Sequence, residues 1–196
     1  MNERNKRLNA VLDKIDEINA ADPNAETVDG KAVPKEWVYG RRMSARLASF
    51  APGASEALQI AARGQHIARW TIPRSEYPEG KQGYHQWRGR LAQFHAEKVG
   101  AIMADAGYGE DAAARVQSLI RKENLRSDPE AQCLEDVICL VFLEHYFAEF
   151  AQKHEEDKLI RILRKTWRKM SERGQAEALN IDMPEETRRI VEKALA

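Results

Sequence analysis

Apolar residues recur every three or four positions through almost the whole chain, and this spacing is the period of an α-helix. Leu8, Leu12 and Ile15 show the period in the first segment, which ends at Asp22-Pro23. No segment alternates apolar and polar residues as a strand does, and no linker is long enough to divide the chain. The sequence therefore predicts an all-α fold, a single-domain helical bundle over residues 1–196 with about seven to nine helices.

Prolines, glycines and capping residues mark where the predicted helices begin and end. We expect helices over residues 3–20, 34–50, 55–70, 84–106 and 111–123, a strongly apolar helix from 129, a basic amphipathic helix over 155–171 and a final helix over 184–195. The longest predicted non-helical segment follows Trp70 and has the sequence TIPRSEYPEGKQG. It contains two prolines and two glycines, which disfavour a helix there.

Charge and hydropathy exclude several classes of protein. The chain has 31 Lys and Arg residues and 31 Asp and Glu residues, and this balance argues against bulk binding of nucleic acid. No run approaches the roughly 20 apolar residues of a membrane span, and the first residues lack the apolar segment of a signal peptide. Cys133 and Cys139 are too few for a disulfide scaffold and are expected to be buried thiols. We therefore expect a cytoplasmic protein with no membrane partner.

Three ionisable residues fall on the apolar faces of different predicted helices, namely His66, His95 and Asp136. A buried carboxylate is costly unless it has a cation, a hydrogen-bonding partner or a metal. Imidazole and carboxylate groups are common metal ligands, and a helical bundle can bring them together. The pattern favours a site for one divalent ion, such as Mn, Fe, Mg or Zn. The alternative is three separate core residues whose polar atoms are satisfied within the protein.

The segment from Arg63 to Arg90 is basic and aromatic. It contains six Arg and Lys residues against two acids, with four aromatic residues between them. A guanidinium group can bind two oxygens of a phosphate or carboxylate at once, so this composition favours an anion site. The alternative is an ordinary solvated loop that its aromatic residues pin to the bundle. The residues that we expect to bind the substrate are Arg63, Arg69, Trp70, Arg74 and Lys98.

A second basic element is residues 158–170, KLIRILRKTWRKM, which carry six cations outside an apolar stripe. The default interpretation is a solvated amphipathic helix. The alternative is a surface for an RNA backbone or an acidic partner, although the segment has no signature for reading bases.

Part of the chain resembles a known enzyme superfamily. The run FHAEKVGAIMADAGY, followed by RVQSLIRKENL and LEDVICLVF, is similar to the second half of an HD-type phosphohydrolase domain. The resemblance covers about residues 35–150 and implies an HD-like helical core, with His66, His95 and Asp136 at the positions of metal ligands. Ile67 stands where that superfamily has the aspartate of its His-Asp pair, so the resemblance implies one metal ion rather than two.

Longer motifs, among them QHIARWTIPRSEYP and LEDVICLVFLEHYF, resemble a second family over nearly the whole chain. This is a bacterial and fungal family of unknown function, number four-two-zero-two in the domain-of-unknown-function series. The resemblance implies membership and adds no chemistry.

Together these patterns favour a metal-assisted phosphohydrolase that acts on a nucleotide or another small phosphorylated metabolite. In this interpretation Glu123 is the general base and Lys122 a second catalytic candidate. The alternative is a non-catalytic protein that binds a phosphorylated ligand, RNA or a protein partner through its Arg-rich site. A third interpretation keeps the HD-like fold and gives it an iron centre for oxygen chemistry.

Overall fold

Helices account for most of the structure, a computed structural model that describes residues 3–196. The prediction of an all-α fold is confirmed, although the described residues form ten helices rather than seven to nine. The chain divides into two compact units, Met1–Glu123 and Asn124–Ala196. The expectation of a single domain stays a prediction. Within the described residues, no helix is both long enough and apolar enough to cross a membrane.

The first unit contains five helices and one hairpin in its described part. The helices are α1 (Glu3–Asn19), α2 (Lys35–Phe50), α3 (Glu56–Gly64), α4 (Gly80–Asp105) and α5 (Glu110–Arg121), and the strands are β1 (Ala25–Val28) and β2 (Lys31–Pro34). Short 3₁₀ turns cover Arg69–Thr71 and Arg74–Glu76. Each helix contributes fully buried apolar side chains to one core, for example Ile15, Met43 and Leu119. This burial explains the three-and-four spacing of the sequence.

The second unit contains the other five helices. They are α6 (Pro129–Val141), α7 (Phe147–Ala151), α8 (Glu156–Trp167), α9 (Glu172–Leu179) and α10 (Glu185–Leu195). A π-helical turn, Phe142–Tyr146, joins α6 to α7 without a break. Asp128 caps α6 as its spacing before Pro129 predicts, since its carboxylate accepts the Glu130 and Ala131 N–H groups.

The hairpin corrects the expectation that the chain has no strands. Its strands pair antiparallel from Ala25 opposite Pro34 to Val28 opposite Lys31, with Asp29 and Gly30 as a two-residue turn. Both turn residues have positive φ, 49° and 75°. Asp-Gly is the dipeptide that such tight hairpin turns favour, but four-residue strands are too short to display a clear alternation.

Helix α3 is also shorter than expected. The predicted helix over 55–70 ends at Gly64 and is followed by turn residues; Ala68 has the left-handed conformation with φ 49°, so no helix continues through it to Trp70. Two other boundaries differ: α4 begins at Gly80 rather than Tyr84, and the basic helix ends at Trp167. The separate helix α9 follows, capped by the Ser171 hydroxyl.

We expect the substitution Gly30→Ala to lower the free energy of unfolding by about 1 kcal/mol, because an alanine at this positive φ is strained. Urea denaturation measures the change, and Gly53→Ala is the matched control. A Cβ atom at either position meets no atom within 4 Å, but only Gly30 has a positive φ. Equal stabilities for the two variants would contradict the assignment of the turn.

Candidate functional site

Glu36 is a buried acid in the first turn of α2. It lies on the same stripe as Gly40, Met43 and Leu47, and it is 7% exposed. Its backbone N–H donates to Asp22 Oδ2 at 3.0 Å, and its carbonyl accepts from Asn19 Nδ2 at 3.4 Å. These bonds fix the start of α2, so the Glu36 carboxylate is held in the interior of the first unit.

The reversal after α3 brings His66 and Arg69 beside this carboxylate. The Ala68 N–H donates to Asn19 Oδ1 at 2.9 Å, and this contact stabilises the left-handed residue. As a result Arg69 turns back towards His66, and its Nη1 donates to His66 Nε2 at 3.0 Å. His66 Nδ1 lies 3.1 Å from Glu36 Oε2.

These contacts determine the protonation of His66. A guanidinium group only donates hydrogen bonds, so His66 Nε2 must be an unprotonated acceptor. The proton of the neutral ring is therefore on Nδ1, which donates to Glu36. Burial and the charge of Arg69 hold the pKa of His66 well below its usual value. The ring also stacks on Tyr39, with centroids 3.9 Å apart.

Burial raises the pKa of Glu36 from 4.5 to about 7, against the opposing effect of Arg69. The Arg69 Nε atom lies 3.8 Å from Glu36 Oε1. The carboxylate thus changes its charge near neutral pH while it accepts a hydrogen bond from His66. This places a proton acceptor next to a neutral imidazole.

His95 is the second buried histidine of this region, and its ring centroid lies 6.1 Å from that of His66. It is 2% exposed, and its Nδ1–H donates to the Ile67 carbonyl at 2.8 Å. The Nε2 atom is therefore an unprotonated acceptor, and it has no hydrogen-bond partner in the described structure. Burial lowers the pKa of His95 to about 3, so the ring is neutral.

Several cations surround the two neutral histidines. Arg69 packs over the ring of Trp87, with its guanidinium carbon 4.8 Å from the ring centroid. The charge of Arg88 lowers the pKa values of both histidines, and that of Lys122 lowers the pKa of His66. We call Glu36, His66, Arg69, Arg88 and His95 the histidine–arginine cluster. Its cations outnumber its one carboxylate, so the cluster has the charge to attract an anion.

Arg63 and Arg74 make contacts that differ from those expected of a joint clamp with Arg69. Arg63 donates from Nη1 to Asp16 Oδ2 at 2.7 Å and from Nε to the Ser44 hydroxyl at 2.7 Å. Arg74 donates to the Tyr77 carbonyl at 2.8 Å, within its own loop. Because α3 ends at Gly64, Arg63 and Arg69 do not share one helix face.

The remaining predicted substrate and catalytic residues lie outside the histidine–arginine cluster as defined above. Trp70 is half-buried in the 3₁₀ turn after the reversal, and Lys98 lies over the Phe94 ring at 5.6 Å. Glu123 is exposed, and the Arg121 Nε atom donates to it at 2.6 Å. This bond holds the pKa of Glu123 below its usual value, which makes it a weaker base than the prediction requires. Lys122 follows α5 in the left-handed conformation.

Asp136 lies on α6 in the second unit and is 2% exposed. Its Oδ1 atom accepts from the Ser171 N–H at 2.8 Å and from Gln132 Nε2 at 3.1 Å, and its Oδ2 atom accepts from the Ser171 hydroxyl at 2.6 Å. The carboxylate thus holds the N-terminus of α9 against α6. Both oxygens are satisfied by neutral donors, which agrees with the alternative of a satisfied core residue.

The donor set does not fit a resident metal ion. No group of three or more His, Cys, Asp or Glu side chains in the described part of the chain could hold one. Both nitrogens of His66 are engaged, one of them by an arginine that a cation would have to displace. His95 Nε2 is available, but among the described residues it belongs to no group of three such side chains that could hold an ion.

Sequence reasoning missed Glu36, Tyr39 and Asn19, and it included Arg88 only among the six basic residues of the segment from Arg63 to Arg90. The first could have been found by the argument that selected His66, since Glu36 stands four and seven residues before the apolar positions Gly40 and Met43. Tyr39 and Asn19 carry no comparable signal, and nothing distinguishes Arg88 from the other basic residues of its segment. Asn19 acts through a hydrogen bond to a residue 49 positions away, and Arg88 acts through its charge.

Comparisons with known proteins agree with the motifs of the sequence. The comparison with curated proteins and the comparison with solved structures found no match. A family model described as domain of unknown function (DUF4202) matches residues 9–191, which is nearly the whole chain. The protein therefore belongs to the DUF4202 family.

Proposed function

We propose that the protein binds a phosphorylated small molecule at the histidine–arginine cluster. The observation that carries this proposal is the buried Nε2 atom of His95, which is a hydrogen-bond acceptor without a partner in the described structure. The positive charges of Arg69 and Arg88 act on the same ring. Burying such an acceptor costs free energy unless a donor reaches it. A phosphate monoester that carries one proton offers both groups, an O–H for His95 and anionic oxygens for the arginines.

The arginines have donors left for such a ligand. Arg69 uses Nη1 for His66, and its Nη2 makes no hydrogen bond within the described residues. Arg88 has no carboxylate partner there either. Guanidinium groups bind phosphate oxygens in pairs, so these two residues supply the contacts that would orient the ligand.

Hydrolysis of the bound phosphate ester is a second candidate, and it is the activity that the HD resemblance implies. The observation that favours it is Glu36, whose pKa of about 7 makes it a proton acceptor at neutral pH. In this version Glu36 and His66 move a proton while Arg69 and Arg88 hold the phosphate. No metal is part of either candidate, since the donor set does not fit one.

Calorimetric titration with inorganic phosphate tests the binding proposal. We expect Arg88→Gln to weaken phosphate binding about tenfold or more, the usual effect of losing a charged hydrogen bond. Arg90→Gln is the matched control, because Arg90 lies two residues along α4 with its side chain 50% exposed. It should leave the affinity unchanged.

Two results would contradict the proposal: no heat of binding from the unaltered protein, or equal losses in the two variants. Release of phosphate from p-nitrophenyl phosphate separates the candidates. Turnover that survives a chelator and disappears in Glu36→Gln favours the hydrolase. Phosphate binding without any turnover supports a binding protein and excludes the hydrolase.

A further inference from the structure

A second candidate site lies in the first unit, in a cavity of about 220 Å³ against α1, α2 and α3. Its wall is mainly apolar and it opens to solvent beside the exposed residues Ala48 and Pro52. The lining residues include Leu12, Leu47, Ala48, Ala51, Ala54 and Arg63. None of them belongs to the histidine–arginine cluster.

Arg63 is the charged residue of this wall. It is 8% exposed, so more than nine-tenths of it is buried. Its Nε and Nη1 atoms donate to Ser44 and Asp16, while Nη2 has no hydrogen-bond partner in the described part of the chain. Nη2 is not one of the fully enclosed side-chain atoms that lack a partner, so solvent reaches it, and its free donors can serve an acceptor on a ligand in the cavity.

The charge around Arg63 favours an anionic acceptor. Asp16 Oδ2 lies 2.7 Å from Arg63 Nη1 and 3.2 Å from Arg41 Nη1, so two cations share one carboxylate. Arg41 is 55% exposed and lies outside the lining, so the cavity offers one guanidinium, that of Arg63, whose carboxylate partner is shared. A carboxylate on the ligand completes its charge balance. We propose that this cavity binds a small apolar monocarboxylate, with its carboxylate on Arg63 and its apolar body against Leu12, Leu47 and the alanines.

The volume sets the size of the ligand. A dry cavity of about 150 Å³ accommodates benzene, which has six carbon atoms. At the same density, a cavity of 220 Å³ holds about nine non-hydrogen atoms. Benzoate has this size and one carboxylate, whereas benzamide has the same shape and no charge. The two compounds therefore separate recognition of charge from simple filling of an apolar space.

Binding is measured by NMR, from the shifts of the Ala51 and Ala54 methyl signals during titration to about 20 mM, since ligands of this size bind in the millimolar range. We expect benzoate to shift these signals and to bind about tenfold more tightly than benzamide, the usual advantage of a charged hydrogen bond. Equal affinities would overturn the role of Arg63. The absence of shifts with benzoate would overturn the whole proposal.

A pair of variants on α2 controls for non-specific binding without disturbing the Arg63–Asp16 pair. Ala48→Leu adds bulk at the mouth of the cavity, and we expect it to weaken benzoate binding about tenfold or more. Ala45→Leu adds the same bulk at an exposed position outside the lining and should leave the affinity unchanged. Equal affinities of the two variants would show that benzoate binds elsewhere. Phosphate titration of Ala48→Leu is expected to match that of the unaltered protein.

Discussion

We expect replacement of Asp136 with asparagine to lower the free energy of unfolding by about 3 kcal/mol, because the three charge-assisted hydrogen bonds of the carboxylate are weakened to neutral ones or lost. The affected contacts are those to the Ser171 N–H, the Ser171 hydroxyl and Gln132 Nε2, at 2.8, 2.6 and 3.1 Å. Urea denaturation measures the loss. Asp182→Asn, at an exposed position of the second unit, should change the stability by less than about 0.5 kcal/mol.

The same variant separates a structural carboxylate from a metal ligand. If Asp136 caps α9, a chelator leaves the melting temperature of the unaltered protein unchanged, and Ser171→Ala reproduces part of the Asp136→Asn loss. If Asp136 binds a metal, the chelator lowers the melting temperature of the unaltered protein and has no effect on Asp136→Asn. The second pattern would contradict the structural role.

Replacing Glu36 with glutamine changes how stability depends on pH. The pKa of Glu36 is about 7 in the folded protein, and it is 4.5 for the same group in the unfolded chain. The folded state thus binds this proton more tightly, so the contribution of Glu36 to stability is largest below pH 4.5 and falls as the pH rises to 7. The fall amounts to about 3 kcal/mol, at about 1.4 kcal/mol for each pH unit. The substitution Glu36→Gln removes this pH-dependent fall in stability, because glutamine does not ionise.

The measurement is the free energy of unfolding at about pH 5 and about pH 8 for both proteins. Relative to the unaltered protein, Glu36→Gln should gain stability as the pH rises, by about 2.5 kcal/mol over this range, since part of the change has already taken place at about pH 5. The histidines are present in both proteins, so their contributions cancel. Glu17→Gln, whose side chain is 69% exposed, is the control and should follow the unaltered protein. Parallel curves for Glu36→Gln would contradict the raised pKa.

The helical architecture could be predicted because local signals agree with it. Apolar spacing places the buried faces, and Asp128-Pro129 and Ser55 cap their helices as their residue types favour. The reversal at Ala68 could not be predicted in this way. Alanine favours a helix, and the hydrogen bond that stabilises its left-handed conformation is made to Asn19, 49 residues earlier.

The candidate site could be predicted in part. Apolar stripes correctly indicate that His95 and Asp136 are buried, since burial is a property of one helix face. They do not indicate the partner of a buried group, which depends on how elements pack. Asp136 is paired with Ser171, 35 residues later, and Arg63 is paired with Asp16, 47 residues earlier. Neither spacing is visible in a periodic pattern.

The π-helical turn between α6 and α7 affects how this part of the chain responds to a change in length. Its hydrogen bonds span five residues instead of four, so Phe142–Tyr146 contains one residue more than an α-helix needs for the same advance. We expect deletion of one residue there to convert the turn into regular α-helix and to leave α6 and α7 in their present rotation relative to each other. Deleting one residue within α6 rotates everything before it by about 100° relative to α7. The π-helical turn therefore contains an extra residue, and we expect a deletion within it to preserve the packing on both sides.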